Sequence, residues 1–387
     1  MENFTYCTPT KLIFGKDSIK QLPSVIALLG KRVLLTYGGG SIKKIGLYDE
    51  VKKLLSDCEV YELSGIEPNP KYTTSVLGGV KLCKEHNIDV VLAVGGGSVL
   101  DCSKAICAVA LYDGEPWDLI TYKVKAKAAL PLVTVLTLAA TGSEYDSGCV
   151  ISRTETNDKV GYLDEHLFPN TSILDPRYTF SVSKKQTAAG AADAINHIIE
   201  QYFCEKNSDL TDGMCESAIK SLIKNARIAL DDPENYEARG EFMVDCSLAC
   251  NKILSIGNSY SGWPCHGIEH ALSAYYDITH GEGLAIITPR WFRHILNDKT
   301  IERFVSFGTH IFGIDPSLPD SEIADKMIDE MYKLFESFGI PMHLKDVGID
   351  DSRLGEMAHH IAVNEGLENA WAPLSEKDIL EILEASL

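Results

Sequence analysis

The stretch from Ile88 to Leu111, IDVVLAVGGGSVLDCSKAICAVAL, leaves this chain few folds to choose from. Ile88 to Val94 is an almost unbroken apolar run, as expected of a strand in a parallel sheet with both faces covered. Gly95, Gly96 and Gly97 close the strand. Ser98 can cap a helix running on through Ala105 to Leu111, whose first backbone amides have no partner of their own. Glycines let an anion approach the backbone, and the start of the helix supplies partial positive charge. The local unit is therefore strand, anion cradle, helix.

The same unit occurs earlier in KRVLLTYGGGS, where Val33 to Tyr37 runs into Gly38, Gly39 and Gly40 and residues 43 to 55 take helical periodicity. A third strand in LPLVTVLTLAATGSE leads to Thr137, Thr141, Gly142 and Ser143, hydroxyls at a strand's carboxyl end, where open α/β sheets place ligand contacts. Neither glycine triplet matches GxGxxG or the phosphate loop of nucleotide hydrolases. Two such loops in one α/β-patterned half nevertheless favour a dinucleotide, which needs contacts at its diphosphate and at its adenosine ribose. The opening segment, alternating through Phe4 and Tyr6 and on to Lys11–Phe14, reads as extended strand before Gly15, and Val150 to Lys159 with Ser172 to Leu174 as strand or hairpin.

After DPRYTFSVS the pattern changes. Apolar residues at three- and four-residue spacing predict helices over Lys184 to Cys204, Leu210 to Leu230, Pro233 to Leu254, Pro264 to Tyr276, Ile323 to Phe338, Ser352 to Ile361 and Glu376 to Ala385. Ser375 stands as the cap of the last. The expected architecture is an α/β dinucleotide-binding domain over residues 1–182 and an all-helical domain over 183–387.

The helical half carries the chemistry. His266 and His270 are four apart on a helix opened by Pro264, so they share a face. Asp193 and His197 repeat that spacing in ADAINHIIE. His280 precedes the glycines of HGEG, where the chain is expected to turn sharply and bring a third imidazole back. A buried aspartate among apolar neighbours needs a countercharge. Together these residues form a candidate divalent-metal site of mixed oxygen and nitrogen donors.

Charge and cysteine usage narrow the setting. Lysine and arginine number 36 against 55 acids, a net charge of -19 that repels nucleic-acid phosphates and leaves a small molecule as the expected partner. Eleven cysteines, with no CxxC pair, fit a reducing cytoplasm better than a disulfide framework. The first residues lack a signal-peptide pattern, and the longest apolar run is too short to span a bilayer.

The motifs GGGSVLDCSKA, the PNP of IEPNP, TLAATGSE, AGAADAINHIIE and HGIEHALSAYYDITHGEGLA resemble those of the iron-containing, or group III, alcohol dehydrogenases, nearest their NADPH-dependent butanol dehydrogenase branch. That resemblance implies a dehydroquinate synthase-like fold and a dimer built partly from the N-terminal strand. It implies Asp193, His197, His266 and His280 as ligands of one Fe(II) or Zn(II), with His270 a neighbour of the metal and candidate proton carrier. It places Gly95, Gly96, Gly97 and Ser98 on the cofactor diphosphate and Asn69, Thr137, Thr141 and Lys159 along the rest of the cofactor.

NAD-preferring relatives carry an aspartate in the first glycine loop; YGGGSIKK has no acid, so a 2′-phosphate would meet Gly38, Gly39, Ser41 and Lys43 or Lys44, and NADP(H) is expected. Asp146 departs from the asparagine of many relatives and would bring a negative charge near the nicotinamide. The implied activity is reversible hydride transfer with short-chain alcohols and aldehydes such as butanol and butyraldehyde. The alternatives are a glycerol-type polyol dehydrogenase, a metal-dependent cyclase using NAD, and a nucleotide-binding sensor with a structural metal.

Overall fold

Val90–Gly95, buried at every position, forms the central strand (β4) of a parallel sheet in the computed structural model, which describes all 387 residues. The other strands are β1 (Lys11–Phe14), β2 (Arg32–Tyr37), β3 (Glu59–Leu63), β5 (Leu132–Leu136) and β8 (Thr171–Leu174), in the order β1-β8-β5-β4-β2-β3. Crossover helices cover both faces of such a sheet, which explains the continuous apolar runs of its inner strands. Leu34, Leu35, Val91, Leu92, Val133, Val135 and Ile173 are fully buried. A separate antiparallel hairpin joins β6 (Gly148–Arg153) to β7 (Asp158–Leu163), with Ser152 opposite Lys159.

No strand follows Leu174. Helices span Lys184–Tyr202, Asp209–Asp231, Tyr236–Ala249, Pro264–Tyr276, His280–Ile295, Ile301–Ile311, Asp320–Ser337, Leu354–Asn364 and Glu376–Ala385. Pro264 stands in the first turn of its helix, and Ser375 and Asp378 form a capping box on the last.

Two of these helices depart from expectation. The Ile301–Ile311 helix has no counterpart among the helices that apolar spacing predicts. His280 opens a sixteen-residue helix instead of sitting in a sharp turn. The HGEG glycines serve close packing: a Cβ on Gly281 would stand 2.0 Å from the backbone oxygen of Ala189, and one on Gly283 2.7 Å from Glu269.

Contacts divide the chain into two compact units. One contains Cys7–Val182 and Asp232–Asn251; the other contains Met1–Tyr6, Ser183–Asp231 and Lys252–Leu387. Asp232–Asn251 joins the α/β unit through specific contacts. Ser247 donates a hydrogen bond to the buried Glu144, and Gly142, at φ 70, comes so close that a Cβ would stand 2.7 Å from the Cys246 oxygen. In the helical unit, Glu2 donates its backbone N–H to Gly257 at 2.7 Å.

Candidate functional site

The Lys184–Tyr202 helix is buried along almost its whole length and presents Asp193, His197 and Glu200, spaced at i, i+4 and i+7, from one face. The Pro264–Tyr276 helix contributes His266, Glu269 and His270, and His280 comes from the first turn of the next helix. Donor atoms of Asp193, His266 and His280 all lie within 4.8 Å of one another. Asp193 Oδ1 stands 3.4 Å from His197 Nε2, 3.8 Å from His266 Nε2 and 3.7 Å from His280 Nε2. The His197 and His266 rings stack with centroids 4.8 Å apart.

Two buried glutamates hold the far edges of two of these rings. Glu200 accepts from His266 Nδ1 and from the Cys265 backbone N–H, the latter at 2.6 Å; Glu269 accepts from His280 Nδ1 and from the Ser273 hydroxyl. Asp193 Oδ1 and His266 Nε2 remain buried without hydrogen-bond partners. Stranding such atoms is costly unless something between them answers both. A divalent cation does, because a carboxylate and imidazole nitrogens are its ordinary donors.

The electrostatics agree. Burial works against the Asp193 charge, yet His197, His280 and His266 hold its carboxyl well below the usual range. Burial pushes the His197 imidazole down to about 3, so it is neutral and able to donate a lone pair. Burial also opposes protonation of His266, but the Glu200 and Asp193 carboxylates beside it outweigh burial and raise that ring to about 9, so the pocket favours a positive charge. Sequence reasoning gave Glu200 no role and Glu269 none beyond its presence. The signal available was a carboxylate seven residues after Asp193 on an otherwise apolar helix face.

His270 stands beside this group and makes none of its contacts to Asp193. Its ring lies 5.9 Å from that of His280 and 6.5 Å from that of His266; its buried Nδ1 has no hydrogen-bond partner, and Glu365 is 3.9 Å away. Cys265 is fully buried and unpaired, as expected of a packing residue.

In the α/β unit, β2 and β4 are neighbours, with β3 beyond one and β5 beyond the other, so the strand order reverses between them. Open α/β sheets form ligand crevices at the carboxyl ends of strands at such a reversal. Both glycine turns leave there. Gly95, Gly96 and Gly97 are hemmed in: added Cβ atoms would stand 2.6 Å from Val99, 3.0 Å from Leu138 and 2.6 Å from Thr141 Oγ1. Gly96 occupies the capping position, so the capping role expected of Ser98 is not observed; Ser98 lies inside the first turn because the helix begins one residue earlier, at Gly97. Thr137 donates its backbone N–H to the Gly95 oxygen at 3.0 Å.

At the first turn, Gly38 is partly buried and Gly39 is open on its Cβ side. Ser41 and Lys44 are exposed, and the Lys43 ammonium lies over the rings of Tyr37 and Tyr48 at 5.1 and 4.7 Å. Glu62, at the end of β3, is occupied by both phenols and by Lys52, each at 2.9 Å. Asn69 adopts φ 49 beside Pro70, whose oxygen accepts from Ser152, the strand partner of the buried Lys159. Asp146 pairs with the buried Lys104 at 2.6 Å, so its charge is answered within the protein.

Residues 9–176 match the family described as iron-containing alcohol dehydrogenase, and residues 187–387 match the C-terminal part of the Fe-containing alcohol dehydrogenase family. The chain is 46% identical over 390 residues to NADH-dependent butanol dehydrogenase A of Clostridium acetobutylicum, covering 100% of both chains. It is 38% identical over 358 residues to the NADPH-dependent aldehyde reductase YqhD of Escherichia coli, covering 92% of this chain and 91% of that one. Among solved structures, NADH-dependent butanol dehydrogenase A of Thermotoga maritima superposes with a TM-score of 0.95 at 37% identity, over 100% of this chain and 99% of that one. No helix is long and apolar enough to cross a membrane. Matched along both halves and by relatives of its full length, the chain belongs to the iron-containing alcohol dehydrogenase family, which implies a nicotinamide cofactor, an iron-type metal and oxidoreductase chemistry between alcohols and aldehydes.

Proposed function

We propose that this protein is a metal-dependent, NADP(H)-linked alcohol dehydrogenase and aldehyde reductase acting on short-chain substrates such as butanol and butyraldehyde. The observation that carries the reading is the convergence of His197, His266 and His280 on Asp193, with Asp193 Oδ1 and His266 Nε2 buried and unanswered. These four residues would hold one Fe(II) or Zn(II). When bound, such an ion supplies Lewis acidity toward an alcohol or aldehyde oxygen.

The nicotinamide supplies or accepts the hydride. Gly95, Gly96, Gly97 and Ser98 hold the diphosphate, and Asn69, Thr137, Thr141 and Lys159 contact the remainder of the cofactor. Gly38, Gly39 and Ser41, with Lys43 and Lys44 nearby, receive the 2′-phosphate. The absence of an acid from that loop, and the engagement of Glu62 by Tyr37, Tyr48 and Lys52, support NADP(H). Aldehyde reduction takes up one hydride and one proton; His270 carries the proton, a role supported by its unpartnered Nδ1 beside the imidazole group. A cytoplasmic homodimer completes the proposal, supported by β1 lying at an edge of the sheet with β8 as its one strand partner.

The test is NADPH oxidation with butyraldehyde, run against NADH, on protein stripped of metal and then reloaded with iron(II) or zinc. Metal-dependent turnover favouring NADPH is expected. Turnover favouring NADH would overturn the cofactor assignment alone. Tight NADPH binding without turnover under either metal would instead support a nucleotide sensor.

A further inference from the structure

The Gly97–Ala110 helix carries two charged side chains that no step above uses. Lys104 is 0% exposed, and its ammonium donates to the Asp146 backbone oxygen at 3.0 Å, to Asp146 Oδ1 at 2.6 Å and to the Gly148 oxygen at 2.7 Å. Three acceptors use all three of its protons. Asp101, one turn earlier, accepts from the Ser143 hydroxyl at 2.6 Å and from the Val150 N–H at 2.9 Å.

All of these contacts fall on Ser143–Val150, the continuation of the segment that carries Thr137 and Thr141. The same helix meets that segment again at its first turn, where Gly97 lies against Thr141, and Gly96 beside it lies against Leu138. Burying a lysine is expensive, and an apolar side chain of similar volume fills space at least as well. What the ammonium adds is a fixed position for the three oxygens it binds. Asp146 fits this role, because its Oδ1 also accepts from the Gly148 N–H at 2.8 Å and so ties the turn to itself as well as to the helix.

We propose that Lys104 and Asp101 are positioning residues: they clasp Ser143–Val150 to the cofactor helix, hold Thr137 and Thr141 at the glycine turn, and thereby set dinucleotide affinity. The proposal rests on reading Gly95–Gly97 as the diphosphate site. It also gives Asp146 a role toward Lys104 and not toward the nicotinamide.

NADPH fluorescence titration of the metal-loaded protein reads the dissociation constant, and initial rates at saturating NADPH read kcat. Lys104→Met is expected to weaken NADPH binding by about tenfold or more while kcat at saturation stays within about twofold. Asp146→Asn keeps the accepting oxygen and should weaken binding about threefold or less. Ser143→Ala removes one hydrogen bond without stranding a lysine; it should cost about threefold and carries the test if Lys104→Met does not fold. Wild-type affinity in Lys104→Met, or in Ser143→Ala where the former is unfolded, overturns the clasp, and so does a fall in kcat at unchanged affinity. A wild type that binds neither NADPH nor NADH sinks the dinucleotide reading, and the clasp with it; a wild type that binds alongside variants that bind equally well confines the failure to the clasp.

Discussion

Glu200 grips the Nδ1 edge of His266, and that contact decides which nitrogen of the ring faces Asp193. A carboxylate can only accept, so Nδ1 keeps its proton, and Nε2, whose proton the surrounding carboxylates hold up to about 9, is the nitrogen a metal would claim by displacing that proton. Glu269 does the same for His280. Glu200→Gln and Glu269→Gln should each lower metal affinity by roughly 10- to 100-fold with the helices intact. Competition against a chelator at fixed pH, with circular dichroism as the control for folding, checks this. Unchanged affinity would show that packing alone orients the rings.

Gly281→Ala should damage stability and metal binding together. Its methyl would meet the Ala189 backbone, so the two helices must separate, an overpacking cost of about 1–3 kcal/mol. His280 is the preceding residue and moves with the backbone. Thermal melts with and without added metal should show a lower Tm in the metal-free protein and a smaller rise on loading.

Glu144 gives stability a pH dependence. Burial pushes its carboxyl up to about 7, partly opposed by the Ser247 hydroxyl that donates to it. The folded state therefore holds this proton more tightly than the unfolded chain, so the associated stability declines as pH rises from the ordinary glutamate range through about 7. The loss approaches about 3 kcal/mol. Glu144→Gln should raise Tm at about pH 8 and change it little at about pH 4, where the glutamate is largely protonated in the folded and unfolded states alike. An equal shift at the two values would remove Glu144 as the source.

Gly39 offers a direct test of cofactor choice. A side chain there meets nothing within 4 Å, and Gly39 is not among the glycines with positive φ, so aspartate fits without strain. Its carboxylate would repel a 2′-phosphate and accept from ribose hydroxyls. Gly39→Asp should lower kcat/KM for NADPH by about tenfold or more and that for NADH far less. Steady-state kinetics with both cofactors decides it.

Local chemistry explains what could be read from the sequence. The continuous apolar run of β4 announced a parallel sheet, and Pro264 and Ser375 marked the starts of their helices because a first-turn proline and a capping serine act within a few residues. The misreadings share a cause. HGEG reads as a turn until Ala189 and Glu269, far away in sequence, reveal why side chains are excluded there. Ser98 reads as a cap until Gly96 is seen to hold that position. Glu200 reads as an ordinary polar helix residue until His266, 66 positions later, comes to rest on it. Each turns on a contact that spacing within a single helix does not contain.

The membership of Asp232–Asn251 in the α/β unit bears on how the chain is made. A ribosome releases residues in order, yet the unit that begins at Cys7 lacks its last helix until Asn251 has emerged, after the whole of Ser183–Asp231. Until then Glu144 has no Ser247 to answer it, and the close approach to Gly142 does not exist. The nascent α/β unit must therefore wait, unfinished, while part of its neighbour is synthesised. A fragment ending at Val182 would leave that unit permanently in the waiting state, so the two units are bound by the order of synthesis as well as by the chain that joins them.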